Sequence, residues 1–190
     1  MKKITSVAVF LLIIFIFAAP GFADTVWLDE VVLFDQPSGS STEANDPTRA
    51  LGADDNVYVS IDIPEILILA FTDNTAFDGT GNDLRIREYG NDSSRAKVYG
   101  SENGADWVFL IEAVGNYTYN DIFVDFNGLG LSYVNYLKFE GLDNLGSSDG
   151  FDLDAVEALN SGAHVPIPGA AWLLGSGLIG LIGLRRKIKN

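Results

Sequence analysis

Between Val26 and Leu159 few stretches of helical period are long enough to matter, and short alternating or apolar runs recur between clusters of Gly, Asn, Asp and Ser. A run in which apolar and polar residues alternate places its side chains on opposite faces of an extended chain, so it can bury one face only as a strand. The pattern predicts strands over 26–34, 56–63, 66–72, 84–89, 96–101, 107–113, 121–125, 134–140 and 152–159. The polar stretches 37–48, 73–83, 90–94 and 142–150 read as loops. Eight or nine strands in roughly 140 residues fit an all-β domain, a two-sheet β-sandwich of jelly-roll type. Val57, Val59, Ile61 and Ile63 alternate with Tyr58, Ser60 and Asp62, as a strand with one buried face should. The continuous run 66–71 fits a central strand, and equally a turn of buried helix.

Two apolar segments flank this region. Met1-Lys2-Lys3, the apolar run Ile4 to Phe17 and the small residues of Gly21-Phe22-Ala23 have the order of a secretory signal peptide, with cleavage expected after Ala23. At the other end Val165-Pro166-Ile167-Pro168-Gly169 precedes an uncharged run from Ala170 to Leu184, then Arg185, Arg186, Lys187 and Lys189. Cations at that end resist crossing a bilayer and stay on the cytoplasmic side, so the middle of the chain faces outward. The apolar run is near the lower limit of about 17 residues for a spanning helix, which suits a temporary anchor, although a permanent one has the same composition. The expected organisation is a signal peptide over 1–23, a β-sandwich over 24–160, and a linker, motif, helix and basic tail over 161–190. Gly175 to Gly180 satisfies G-x-G-x-x-G, but no strand precedes it, so no dinucleotide site follows.

All 26 acidic residues lie between the two apolar segments with only six basic ones, Arg49, Arg85, Arg87, Arg95, Lys97 and Lys138, giving 6 − 26 = −20. Such a field repels nucleic acid and anionic polymers and attracts divalent cations. Cysteine is absent, which removes thiol catalysis, thiolate metal sites and disulfides. Asp73, Asp78 and Asp83 crowd one loop with Asn74, Asn82 and two glycines. Ca²⁺ takes about six to eight oxygens, and this loop offers several, although the same residues also suit Asx turns in a solvated loop. Asp149, Asp152 and Asp154 form a second cluster. If Phe151, Leu153 and Ala155 face the core, Asp152 and Asp154 share the opposite face, where two like charges need a structural Ca²⁺, a backbone partner, or an Arg such as Arg85 or Arg87.

Sugar rings stack on exposed aromatic side chains, and Tyr117 and Tyr119, with Asp121 beside them in a polar turn, are the best-placed ligand candidates; packing of these rings against the sandwich edge is the other outcome. Nothing singles out a catalytic carboxylate pair, and the one histidine, His164, adjoins the C-terminal motif. No catalytic residue is therefore assigned and the chain is read as a non-enzyme, with a polysaccharide-acting enzyme and a permanently anchored periplasmic scaffold protein as the alternatives.

The C-terminal order V-P-I-P, G-A-A-W-L-L-G-S-G-L and R-R-K resembles the PEP-CTERM class of bacterial sorting signals, with Ile167 where the name-giving motif has Glu. That resemblance implies signal peptidase and an inner-membrane exosortase as partners, transient membrane insertion, and delivery to the cell surface or the exopolysaccharide matrix. A-L-G-A-D-D (50–55), L-A-F-T-D-N (69–74), N-D-L-R-I-R-E-Y-G (82–90), the S-x-x-G-x-x-W turn (101–107) and D-G-F-D-L-D-A-V-E-A (149–158) resemble the discoidin-related, galactose-binding-like jelly rolls. Many members of that group bind carbohydrate and many hold a structural Ca²⁺, so a polysaccharide partner and structural calcium are what this second resemblance implies.

Overall fold

The computed structural model of the chain describes residues 26–37, 44–90, 93–116, 120–143 and 150–163. Both apolar ends, and with them the motif residues Val165 to Gly169 and the basic residues Arg185 to Lys187, lie outside the described residues. Within the described residues every strand pairing is antiparallel.

One sheet has five strands in the order β1 (Glu30–Asp35), β3 (Ile66–Ala70), β10 (Tyr136–Asp143), β6 (Arg95–Ser101) and β7 (Val108–Val114). The second has four: β2 (Val59–Ile61), β11 (Phe151–Ala158), β5 (Leu84–Glu88) and β8 (Asn120–Val124). A small third sheet orders β12 (Ser161–Ala163), β4 (Asn74–Phe77) and β9 (Tyr133–Val134). Inward residues of the two large sheets make one buried cluster: Leu67, Leu69, Val98, Leu137 and Phe139 from the first, Val59, Ile61, Leu84, Ile86, Phe151, Leu153 and Val156 from the second. Each large apolar side chain sealed in this way contributes about 1.5–3 kcal/mol, and this burial is what holds the two layers together. The run at 66–71 is settled as a central strand, flanked on both sides by β1 and β10.

Two short strands, β4 and β12, fall where the sequence pattern is silent, and a third, β9, is not told apart from the strand read over 134–140. β4 lies inside the stretch read as the loop 73–83, β9 is two residues long, and β12 is Ser-Gly-Ala. None carries a Val/Ile alternation; β4 and β9 each place one residue, Ala76 and Val134, in the core, and pairing to one another completes their hold.

Two expectations about faces are corrected. In β2 only Val59 and Ile61 are core residues; Val57 and Ile63 are 42 % and 52 % exposed, while Ser60 is buried. Ser60 N–H donates to the Ala44 carbonyl, so the segment before the 3-10 turn Pro47–Ala50 covers the free edge of β2. In β11 a bulge between Leu153 and Ala155 inserts Asp154 as an extra residue against β5. The alternation therefore changes phase, and Val156 rather than Ala155 joins the core cluster.

The end of β2 is clasped by backbone. A Cβ on Gly150 would lie 2.2 Å from the Ile61 carbonyl oxygen, and one on Gly141 would lie 2.2 Å from that of Asp62. Only glycine admits so close an approach.

Candidate functional site

Three loops meet at one end of the sandwich: 78–83 before β5, 102–107 between β6 and β7, and 125–132 between β8 and β9. Asp83 ties the first to the third. Its side chain is fully buried; Oδ1 accepts from Gly79 N–H at 2.8 Å and from the Asn160 amide at 2.9 Å, and Oδ2 accepts from Phe126 N–H at 2.6 Å. Asp78 N–H donates to the Ser132 carbonyl at 3.0 Å, closing the other end of the 125–132 loop.

This clamping brings the carboxylates of Asp78, Asp83 and Asp125 together, with oxygens within 4.8 Å of one another. Oxygen ligands of Ca²⁺ lie at about 2.3–2.6 Å, so three oxygens at this spacing fit around one ion, and Asp83 Oδ2, which accepts one N–H where Oδ1 accepts two, keeps a lone pair for a metal. Of the first acid group, then, the fold assembles Asp78 and Asp83 and replaces Asp73 with Asp125. Asp73 instead lies at the β1–β3 end, where its N–H donates to Asp29. Asp125 carries no signal as a partner of Asp78 in the sequence, since 47 residues separate them and only the pairing of β5 with β8 brings the two together.

Beside these acids is a cleft of about 200 Å³ lined by Glu102, Asn103, Asp106, Val108, Gly130 and Leu131. Its shape follows from the S-x-x-G-x-x-W turn. Ser101 Oγ accepts from the N–H groups of Asn103 and Gly104, and Asn103 Oδ1 accepts from those of Ala105 and Asp106. The Asn103 amide then donates to Asp106 Oδ2 at 2.9 Å, and Glu102 Oε1 accepts from Ser132 N–H at 3.0 Å. The turn thus presents two oriented carboxylates and one amide above an apolar floor of Val108 and Leu131. The turn itself is visible in the sequence, but its pairing with Gly130 and Leu131 depends on the return of the chain from β8 to β9. Trp107 is half-buried on the adjoining sheet face, where Lys138 Nζ lies 5.3 Å from its ring, 4.2 Å from the Tyr99 ring and 2.6 Å from Glu140 Oε1.

Asp152 and Asp154 of the second acid group bond to different segments. Asp152 accepts the Ser60 hydroxyl, and Asp154 accepts the N–H groups of Asp55 at 3.3 Å and Asn56 at 3.1 Å. Burial pushes the Asp154 carboxyl above the usual carboxylate range; the two N–H donors oppose this and the neighbouring Asp55 and Asp54 carboxylates add to it. Asp149 lies outside the described residues. The suggested mates Arg85 and Arg87 are engaged elsewhere: Arg85 pairs with Glu157 at 2.8 Å and Asp121 at 3.4 Å, and Arg87 with Asp121 at 2.8 Å and Asp54 at 3.3 Å. Of the proposed ligand residues, Asp121 belongs to this ion-pair lattice on the outer face of the four-stranded sheet, and Tyr117 and Tyr119 lie outside the described residues.

No protein-family profile and no curated protein matches the chain. Solved structures do. The C-terminal domain of a chitobiase from Bacteroides fragilis superposes with a TM-score of 0.50 at 13 % identity, covering 75 % of this chain and 97 % of that domain. CBM32-3 from a family 31 glycoside hydrolase of Clostridium perfringens gives 0.45 at 15 % identity, over 70 % and 95 % of the two chains. The CBM32 of AlyQ in complex with 4,5-unsaturated mannuronic acid gives 0.46 at 9 % identity, over 70 % and 98 %. At 13 % identity the likeness to the chitobiase domain is one of fold, and it agrees with the all-β sandwich built from the strand pairings.

Proposed function

We propose that this chain is an exported protein whose sandwich binds a glycan without transforming it, and that it is delivered to the cell surface or the extracellular polysaccharide. The observation that carries the binding reading is the cleft at 102–108 and 130–131, where polar groups held by their own turn surround an apolar floor. A pyranose presents hydroxyl edges and apolar C–H faces together, and a site for one needs a few fixed acceptors over an apolar surface. The fold shared with the chitobiase C-terminal domain supports this reading, because a sandwich of this type is compatible with such a site on its loops. We assign Ca²⁺ at Asp78, Asp83 and Asp125 a structural part: bound there, it supplies the positive charge that three adjoining carboxylates lack.

The binding test is a glycan array probed with residues 24–163 produced in the presence and absence of Ca²⁺, followed by a reducing-sugar assay on every glycan that binds. Retention of at least one glycan class, lost on Asp106→Ala, is the expected result. Release of reducing ends identifies a polysaccharide-acting enzyme and overturns the non-catalytic reading.

Export and sorting rest on the two apolar ends and their cations. Signal peptidase acts after Ala23, and an exosortase-type protease acts at or near Val165 to Pro168 after transient insertion of the C-terminal helix. Intact-mass analysis of the protein from culture supernatant and membranes reads both cleavages. A membrane-only species that keeps its basic tail establishes a permanent anchor instead.

A further inference from the structure

Resting on the glycan-binding reading, we infer that the cleft selects amine-bearing, cationic sugars over their N-acylated or acidic counterparts. Glu102 and Asp106 are the charged residues of its lining, and no Lys, Arg or His is among the lining residues. Each carboxylate spends one oxygen on holding the turn: Glu102 Oε1 on Ser132 N–H and Asp106 Oδ2 on the Asn103 amide. The second oxygen of each, Oε2 and Oδ1, has no hydrogen-bond donor among the described residues. An ionised carboxylate oxygen accepts and never donates, so the complementary group is one that only donates. An ammonium does so with three N–H bonds and a full charge, whereas an acetamide brings one N–H and a carbonyl oxygen that a carboxylate repels.

The rest of the domain reinforces this choice. Of its six basic side chains, Arg85, Arg87, Arg95 and Lys138 are already held in ion pairs, with Asp54, Asp121 and Glu157, with Glu112, and with Glu140. The formal charge of 6 − 26 = −20 over 24–164 therefore meets a polycationic chain favourably and a polyuronate unfavourably along its whole length.

The test compares three probes by calorimetric titration: a glucosamine tetramer, the N-acetylglucosamine tetramer of the same linkage, and a tetrauronate. It is run at a pH where the amine is protonated and repeated at low and high salt. The amine tetramer is expected to bind about tenfold more tightly than its acetylated partner at low salt, with a gap that narrows as salt screens the carboxylates. The uronate is expected to give no heat. In the double variant E102Q/D106N, which keeps the turn's acceptors and loses its charges, the gap should vanish while the thermal midpoint stays near that of the parent. Equal affinity for the amine tetramer and its acetylated partner overturns charge selection and leaves glycan binding standing. Failure of every glycan, here and on the array, overturns both. A gap that survives in the double variant removes the selection from this cleft.

Discussion

Asp83 and Asp154 are both sealed from solvent, at 0 % and 1 % exposure, and both are held by backbone N–H groups rather than by a salt bridge. They differ in what they hold together. Asp83 gathers donors from residues 79, 126 and 160, three separate segments, and stands next to two further carboxylates. Asp154, pushed out of the ladder by a bulge, gathers donors from two successive residues of one loop. A buried carboxylate at a junction of segments is a fastening for the whole loop end; one on a bulge positions a single loop. The local charge balance differs as well. Beside Asp154, Asp54 is drawn off by Arg85 and Arg87, whereas no ion pair reaches Asp78, Asp83 or Asp125 among the described residues.

The largest expected effect tests that contrast directly. Asp83→Ala leaves the buried Phe126 N–H without an acceptor and takes one from the exposed Gly79 N–H and from the Asn160 amide, which keeps the Asn82 carbonyl; at about 1–3 kcal/mol for an unmet buried donor the loss should be about 2–4 kcal/mol. Urea denaturation measures it. A loss no larger than that of Asp154→Ala breaks the comparison.

Calcium comes next. At about 100 times its dissociation constant a ligand bound only to the native chain adds about 2.7 kcal/mol, so thermal midpoints with Ca²⁺ and with chelator should separate clearly. Asp78→Asn and Asp125→Asn should abolish that separation and Asp154→Asn should keep it. An equal response in all three places the ion elsewhere.

Asp154→Ala should cost less, about 1–2 kcal/mol, because Asp55 and Asn56 are exposed and water can take over part of their bonding. Proteolysis within 51–57 in this variant, with the rest of the chain intact, would show that the side chain holds that loop alone.

How much of this is legible in the sequence depends on the range of the interaction involved. Val59, Ile61, Leu67, Leu69, Leu84 and Ile86 announce themselves because burial on one face leaves a local period of two or a continuous apolar run. The S-x-x-G-x-x-W turn is equally local. The phase of β11 is not legible, because a bulge is set by the partner strand, so alternation misplaces Ala155 and Val156. The acid triad is half legible: Asp78 and Asp83 are five residues apart, but Asp125 arrives through β8, and Asp73 leaves because β4 begins directly after it. The cleft combines a turn that can be read with two residues, Gly130 and Leu131, whose position only the sheet order fixes.

The smallest effect is one of pH, and it is read at Asp154. The Asp154 carboxyl titrates above its ordinary value, chiefly through burial. The native chain therefore binds this proton more tightly than the unfolded chain does. Protonation favours folding: the contribution is full below the unfolded value of 3.8 and is lost as pH rises through the raised native value. Subtracting the pH–stability curve of Asp154→Asn from that of the parent isolates this group from the other acids. The difference should fall with rising pH through the acid range and level off toward neutrality. A difference that rises with pH would mean that the N–H groups of Asp55 and Asn56 outweigh desolvation. Asp154 would then be stabilised as an anion, and its burial would no longer distinguish it from a well-solvated capping carboxylate.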